Sequence, residues 1–134
     1  MNKKELCVII NHNKIYLECI LADYEYVPIF FLCKSEYNEF YLSLCRNPKT
    51  AEKYIVVKLP KEEVKNLIYG QLPMRDVFLN QESFWKVFSG DKVENDIVIE
   101  YPIEQIPKDD LPYEGACYKI FEEYVRKYVE STEI

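Results

Sequence analysis

Residues 26–33 read Tyr-Val-Pro-Ile-Phe-Phe-Leu-Cys, and this stretch decides the fold. It is apolar at both alternating sets of positions, which predicts a central strand of a sheet with both faces covered. Pro28 cannot donate a hydrogen bond to a neighbouring strand, so we place it near the start of this strand. The chain is therefore expected to be built around a sheet.

The segments on either side have the two-residue period of strands. In residues 15–22 one predicted face consists of Ile15, Leu17, Cys19 and Leu21, opposite Tyr16 and Glu18. Further strands are predicted at Leu6–Ile10, Phe40–Cys45, Ile55–Leu59, Phe84–Phe88 and Ile97–Tyr101. Short connections between such runs favour antiparallel neighbours, arranged as a meander.

Helical periods appear in three places. Proline is favoured in the first turn of a helix, and glycine is favoured just after its end. Pro60 and Gly70 therefore predict a helix between them. A second short helix is predicted over Pro73–Leu79. A C-terminal amphipathic helix is predicted over 117–128, where apolar residues recur every three or four positions.

The fold class that follows is α+β in a single domain, residues 1–134. An antiparallel sheet of about five to seven strands is expected to carry two short central helices and the C-terminal amphipathic helix. A chain of this length can bury a full core on its own. Apolar residues make up 49% and charged residues 30%, as in ordinary globular domains.

The part from Tyr24 to Phe78 resembles small uncharacterised bacterial proteins. The resemblance is carried by Tyr-Val-Pro-Ile-Phe-Phe, by the following Phe-Tyr-Leu-Ser-Leu, and by Gly-Gln-Leu-Pro-Met-Arg-Asp-Val-Phe over 70–78. It implies no activity and no site residues. The frequent Lys, Asn, Ile, Tyr and Glu, with few Arg, suit an AT-rich bacterial or phage genome.

The sequence predicts a cytoplasmic protein without a membrane segment. The apolar run Leu6–Ile10 is too short for a signal peptide, and no stretch reaches the 18 or so apolar residues of a membrane helix. The five cysteines are odd in number and widely spaced, as expected for reduced thiols in strands.

Residues 94–114, called the acidic segment below, hold the whole net charge of the chain. Seven acids stand against one base, Lys108, which gives −6, and the other residues hold 16 acids and 16 bases. Segregated charge projects a field and favours basic partners. Three prolines in 101–113 predict a strap without regular hydrogen bonding, held to the domain by Ile103, Ile106 and Leu111.

No catalytic, metal-binding or cofactor-binding residue is predicted. His12 is the only candidate base for a nucleophile, but it lies in a turn, and the scattered glycines form no phosphate loop. The cysteine spacings lack the close pairs of zinc sites, and Asp109, Asp110 and Glu114 form no EF-hand loop. Among the carboxylates only Glu18 and Glu25 lie within strand-like sequence.

Direct nucleic-acid binding is disfavoured because the lysines around Lys53–Lys65 alternate with acids, whereas binding to phosphates needs a basic surface. The expected function is a non-enzymatic protein-binding domain, of inhibitory or immunity type, that uses the acidic segment against a basic protein. The predicted partner-binding residues are Glu100, Glu104, Asp109, Asp110, Glu114, Tyr101 and Tyr113.

Two alternatives stay open at this point. One is a small-molecule-binding or catalytic domain with an aromatic-lined pocket between the sheet and the last helix. The other is a structural subunit that forms homo-oligomers through an exposed sheet edge.

Overall fold

A computed structural model describes residues 4–24, 27–45, 52–88, 90–120 and 122–132. Within these residues, seven strands form one antiparallel sheet whose spatial order is the order along the chain. The strands are β1 Leu6–Ile10, β2 Asn13–Tyr24, β3 Val27–Ser35, β4 Phe40–Cys45, β5 Glu52–Leu59, β6 Ser83–Phe88 and β7 Ile97–Pro102. The helices are α1 Lys61–Ile68, α2 Met74–Leu79 and α3 Glu123–Ser131. The predicted α+β class with an antiparallel meander is confirmed.

Strand β3 contains the stretch that predicted the sheet, and both of its faces are buried. Phe30 and Leu32 belong to one apolar cluster, whereas Phe31 and Cys33 belong to a second. Pro28 is the second residue of the strand, as its missing N–H predicts. Because β3 is apolar on both sides, the fold has to cover the sheet twice.

The helices cover one face of the sheet, called the helix-covered face below. Val64 and Leu67 from α1, Phe78 from α2 and Val125 from α3 are all fully buried there. They pack with the strand side chains Leu21, Phe30, Leu32, Phe40, Leu42, Ile55, Val57 and Phe84. This is the larger of the two apolar clusters.

The opposite face, called the concave face below, is buried without a contribution from any described helix. Its cluster consists of Val8, Ile10, Ile15, Phe31, Cys33, Tyr41, Val56, Trp85 and Val87. The most exposed member, Trp85, still shows only 8% of its surface. The sheet therefore curls around its own side chains as a half-barrel, which brings β1 into contact with the 3-10 turn Val93–Asn95.

A β-bulge in β2 interrupts the alternation of side chains between the two faces of the sheet. Leu17 pairs with Cys33, but Cys19 pairs with Leu32, so Glu18 is an extra residue without a partner in β3. A bulge of this kind increases the local twist and bends the strand. That bend assists the curl of the sheet.

The bulge overturns the prediction that Ile15, Leu17, Cys19 and Leu21 share one face. Ile15 and Leu17 pack in the concave cluster, whereas Cys19 and Leu21 are buried in the helix-covered cluster. One inserted residue exchanges the two faces for every residue that follows it. A strict two-residue period cannot reveal such an insertion.

Two tyrosine hydroxyls bind β2 beyond the part that pairs with β1. The Tyr118 hydroxyl donates to the carbonyl of Leu21, and the Tyr124 hydroxyl donates to the carbonyl of Ile20, each at 2.6 Å. Both carbonyls lie at a second register shift, between Ile20 and Ala22. The C-terminal segment thus satisfies backbone acceptors at the place where the ladder is irregular.

Helices α1 and α2 lie where the sequence predicts them. Pro60 precedes α1, and Gly70 follows it with φ of +72°. The Gly70 N–H donates to the carbonyl of Leu67 at 3.1 Å, which closes the end of the helix.

The C-terminal helix begins later than predicted. The apolar spacing over 117–128 predicts one continuous helix, but α3 starts at Glu123, and residues 116–120 form no helix. Glu122 has an extended backbone, with φ of −114° and ψ of 136°. Phe121, which belongs to the predicted apolar stripe, lies outside the described residues.

Tertiary contacts explain the late start of α3. The carbonyl of Ala116 accepts a hydrogen bond from the Met74 N–H at 2.9 Å. The backbone of Tyr118 passes so close to Gly70 that a Cβ there would lie 2.9 Å from the Tyr118 carbonyl oxygen. Together with the bond from Tyr118 to β2, these contacts outweigh local helix propensity.

Replacing Tyr118 with Phe is expected to lower the free energy of unfolding by about 1–2 kcal/mol, because the Leu21 carbonyl loses its donor. Urea unfolding measures the difference. The matched control is Tyr37→Phe, since Tyr37 is 70% exposed in the turn after β3 and should change stability little. Equal effects of the two substitutions would contradict the role of this bond.

Alkaline pH is expected to destabilise the fold between about pH 10 and pH 12. Burial raises the pKa of Tyr118 to about 12, whereas an unfolded tyrosine ionises near pH 10. The unfolded chain therefore loses this proton first, and stability falls as pH rises through that window. Urea unfolding at pH 9, 10 and 11 should show a shallower decline in Tyr118→Phe than in the wild type; parallel declines would contradict this assignment.

Candidate functional site

The acidic segment lies at one edge of the sheet and continues beneath the helices. It begins in the turn Val93–Asn95, forms β7, and continues through two further 3-10 turns at Ile103–Gln105 and Lys108–Asp110. It ends shortly before Gly115. The charge imbalance seen in the sequence is thus gathered on one continuous ribbon.

Strand β7 is the last strand of the sheet, and its outer edge is unpaired. It is hydrogen-bonded to β6 on one side, and no backbone hydrogen bond from the described residues reaches its other side. Ile97 and Ile99 lie on this strand with 59% and 40% of their surfaces exposed. An exposed edge strand with apolar side chains is a surface on which another chain can pair.

Ile97 and Ile99 point to the same face as the helices, but the helices do not reach them. Ile99 pairs with Lys86 and Ile97 with Phe88, at the end of β6 that is far from Phe84. The alternating apolar pattern predicted a strand here but gave no sign that its apolar residues are exposed. Their exposure depends on how far the helical layer extends.

The strap is attached to the domain by the residues that the sequence predicts. Ile106 and Leu111 are buried in the helix-covered cluster, and Ile103 packs against it. The prediction of a strap without regular hydrogen bonding is wrong in part, because short 3-10 turns form. Ile106 N–H donates to Ile103 and Asp110 N–H donates to Pro107, each at 3.0 Å.

Arg75 in α2 fixes the second half of the strap. Its guanidinium donates to the carbonyl oxygens of Lys108 at 3.1 Å and Pro112 at 3.2 Å. One arginine therefore binds two points four residues apart, on either side of Asp109 and Asp110.

All five predicted partner-binding acids are exposed. They are Glu100, Glu104, Asp109, Asp110 and Glu114. Glu100 accepts a hydrogen bond from the Ser83 hydroxyl at 2.7 Å. Ion pairs join Lys4 to Glu18 and Lys58 to Glu39, so these two lysines are engaged outside the acidic segment.

The two predicted tyrosines lie in different environments. Tyr101 is half-buried, with its ring stacked on Phe84 at 5.5 Å between centroids and with the Lys86 ammonium 5.3 Å from its centre. Tyr113 is 87% exposed. Tyr113 is thus open to a partner, whereas Tyr101 holds β7 against the core.

His12 lies in the two-residue turn between β1 and β2. Asn11 and His12 both have positive φ, 52° and 69°, as in the turns that suit the twist of a hairpin. The predicted turn is confirmed, and the imidazole is exposed. Its position is explained by the hairpin turn.

The cysteines are divided between the two faces of the sheet. Cys19 is buried on the helix-covered face and Cys33 on the concave face, with Cys7 packed against the latter. None of the five cysteines, all of which lie among the described residues, forms a disulfide. Among the described residues, no three His, Cys, Asp or Glu side chains are grouped so that they could hold a metal ion.

Glu18, one of the two carboxylates that the sequence places in strands, is the extra residue of the bulge in β2. Its side chain is 6% exposed and forms an ion pair with Lys4. Burial of the Tyr128 hydroxyl, and second the charge of Glu18 beside it, raise the pKa of that hydroxyl. Glu25, the other strand-like carboxylate, lies outside the described residues.

The described helices are too short or too polar to cross a lipid bilayer. No protein-family model, curated protein or solved structure matches the chain.

Replacing Arg75 with Leu is expected to loosen residues 108–112, because two charged hydrogen bonds of about 1.5–3 kcal/mol each are lost. Hydrogen exchange followed by mass spectrometry should show faster exchange in that stretch. The matched control, Arg126→Leu on the exposed side of α3, should leave it unchanged. Unchanged exchange in Arg75→Leu would contradict the role of Arg75.

Proposed function

We propose that this domain is a non-enzymatic protein-binding module, and that a basic partner docks on the acidic segment along the outer edge of β7. The observation that supports it most is the position of β7, an unpaired edge within the one segment of large charge imbalance. Such an edge offers backbone donors and acceptors to an extended segment of another chain.

The exposed isoleucines supply the apolar part of this surface. Ile97 and Ile99 are neighbours on the same face of β7, so a strand that pairs with β7 would cover both. Binding surfaces combine such a desolvated centre with a polar rim. In this proposal the carboxylates of the acidic segment form the polar rim.

The charge argues for a basic partner and against a second copy of this chain. Two copies paired at β7 would bring together two segments of −6 each, and like charges across an edge repel. A basic partner would instead be attracted over about one Debye length and would associate faster at low salt. An inhibitory or immunity-type role fits a partner that carries a basic working surface, such as a nuclease.

The first test uses a defined probe, a six-residue peptide of alternating lysine and valine blocked at both ends, with its glutamate–valine counterpart as the control. Amide NMR shifts should change mainly in β7 with the basic peptide and not with the acidic one. The dissociation constant should rise about tenfold between 50 and 200 mM salt, because opposite charges are screened.

Variants with neutral amides then distinguish the effect of the acidic segment on binding from the effect of the total charge. The quadruple variant Glu104→Gln, Asp109→Asn, Asp110→Asn, Glu114→Gln should raise the dissociation constant of the basic peptide about tenfold. The control variant, with Glu36, Glu62, Glu123 and Glu130 changed to Gln, removes the same number of exposed charges elsewhere and should have less than about a twofold effect. Equal losses in both variants would overturn the proposal.

The natural partner can be sought by capture from host lysate with mass spectrometry. A true partner should be retained by the wild type and lost both in the quadruple variant and in Ile97→Thr with Ile99→Thr. Sedimentation at several protein concentrations tests the competing homo-oligomer. Self-association that the isoleucine substitutions abolish would replace a basic partner with a second copy.

A further inference from the structure

The concave face forms a half-open cavity of about 370 Å³. Phe31, Tyr54, Val56 and Val87 contribute apolar surface from the middle strands. Cys7, Val8 and Leu17 line one side, and residues 90–93 with Asp96 line the other. The cavity thus lies where the curl brings β1 towards the loop between β6 and β7. Its volume is that of many small-molecule sites.

One small side chain in the middle of the sheet, Ser43, lines this space. Phe31 pairs with Ser43 and Ser43 pairs with Val56, so these three side chains form one row across the concave face. Ser43 is the small member of a row that is otherwise filled by larger apolar groups. A serine here leaves volume that a leucine or valine would occupy.

Ser43 also places a hydroxyl in an apolar surrounding. Ser43 is 2% exposed, and within the described residues its hydroxyl meets the Cys33 thiol at 4.0 Å. A thiol is a weak partner, so the hydroxyl keeps hydrogen-bonding capacity towards the cavity that it lines. Burial raises the pKa of Cys33 and raises that of Tyr54 to about 12, so both groups are neutral at pH 7.

The rim of the cavity is acidic and held in place. Glu5, Asp91 and Asp96 line it together with one base, Lys92. The Asp96 carboxylate accepts a hydrogen bond from the Gly90 N–H at 2.8 Å, and Asp91 accepts one from the Asn95 side chain. A Cβ on Gly90 would lie 2.5 Å from the Asn95 carbonyl oxygen, so the loop closes tightly on itself. The part of the rim formed by residues 90–96 is therefore held by its own hydrogen bonds.

We propose that the concave-face cavity binds a small organic amine with an apolar ring. The ring occupies the space beside Phe31, Val56 and Val87, and the ammonium group meets the carboxylates of Glu5, Asp91 and Asp96. The excess of two negative charges at the rim selects a cation over an anion, and the apolar lining selects a molecule with a ring over a bare ammonium ion. The site is separate from the outer edge of β7 and shares one residue, Asp96, with the acidic segment.

The probe for this proposal is 2-phenylethylamine, compared with neutral 2-phenylethanol and anionic 3-phenylpropionate. Trp85 is the single tryptophan of the chain and pairs with Val56 on the concave face, so its fluorescence reports binding there. The amine should bind at least about tenfold more tightly than the acid, with the alcohol between them. Equal binding of all three, or no binding of the amine at millimolar concentration, would overturn the proposal.

Substitutions locate the site. Ser43→Leu should place a larger side chain in the cavity and weaken binding of the amine at least about tenfold, whereas the same change at the exposed Ser131 should have no effect. Glu5→Gln with Asp91→Asn should weaken the amine several-fold but leave 2-phenylethanol unchanged. Binding that survives Ser43→Leu would place the amine elsewhere and contradict the proposal.

Circular dichroism and urea unfolding would reveal whether Ser43→Leu fails to fold. In that case a measurement on the wild type tests the proposal. Methyl NMR signals of Val56 and Val87 should shift on addition of the amine, and those of Val125 and Val129 on the helix-covered face should not. Shifts confined to valines outside the cavity would overturn the proposal. These outcomes leave the proposed role of β7 untouched, since none of the changes lies on its outer edge.

Discussion

The rest of the structure depends on one constraint, which is that the sheet must bury both of its faces while helices cover only one. Phe30 and Leu32 need one cover and Phe31 and Cys33 need another, because they alternate along the same strand. Helices α1, α2 and α3 supply the first. The second comes from the curl of the sheet, which is why β1 meets the turn Val93–Asn95. The same curl leaves the cavity inside and places β7 at an open edge.

Two tyrosine hydroxyls satisfy backbone carbonyls where the curled sheet is irregular. The second register shift in β2 lies where β1 no longer pairs with it, and the hydroxyls of Tyr118 and Tyr124 bind two carbonyls there. A phenol can pack its ring in a core and still deliver a donor at the far end. This accounts for Tyr118, which is buried, whereas Tyr124 donates from the surface and is 49% exposed. Tyr113 is also exposed.

Local sequence patterns predicted the strands and helices but not the features that depend on contacts between distant residues. The strand at 26–33, the helices after Pro60 and Pro73 and the exposure of the acids followed from period and charge. The bulge at Glu18 did not, because an inserted residue leaves no local signal. The start of α3 was missed because contacts of Ala116 and Tyr118 with distant residues outweigh the apolar spacing. The exposed Ile97 and Ile99 and the hollow beside Ser43 depend on the reach of the helices and on the curl, which are properties of the assembled fold.

The acidic edge and the cavity are two consequences of one half-barrel. The feature to measure is therefore the contact between β1 and the turn Val93–Asn95 that the curl produces. Nuclear Overhauser effects between β1 and the turn Val93–Asn95 report it directly, because these two elements are in contact. A half-barrel predicts clear cross-peaks between β1 and this turn in the free protein at low concentration. Cross-peaks absent from a well-ordered sheet, together with a Trp85 that acrylamide quenches freely, would mean an open sheet and would contradict the curl on which both sites depend.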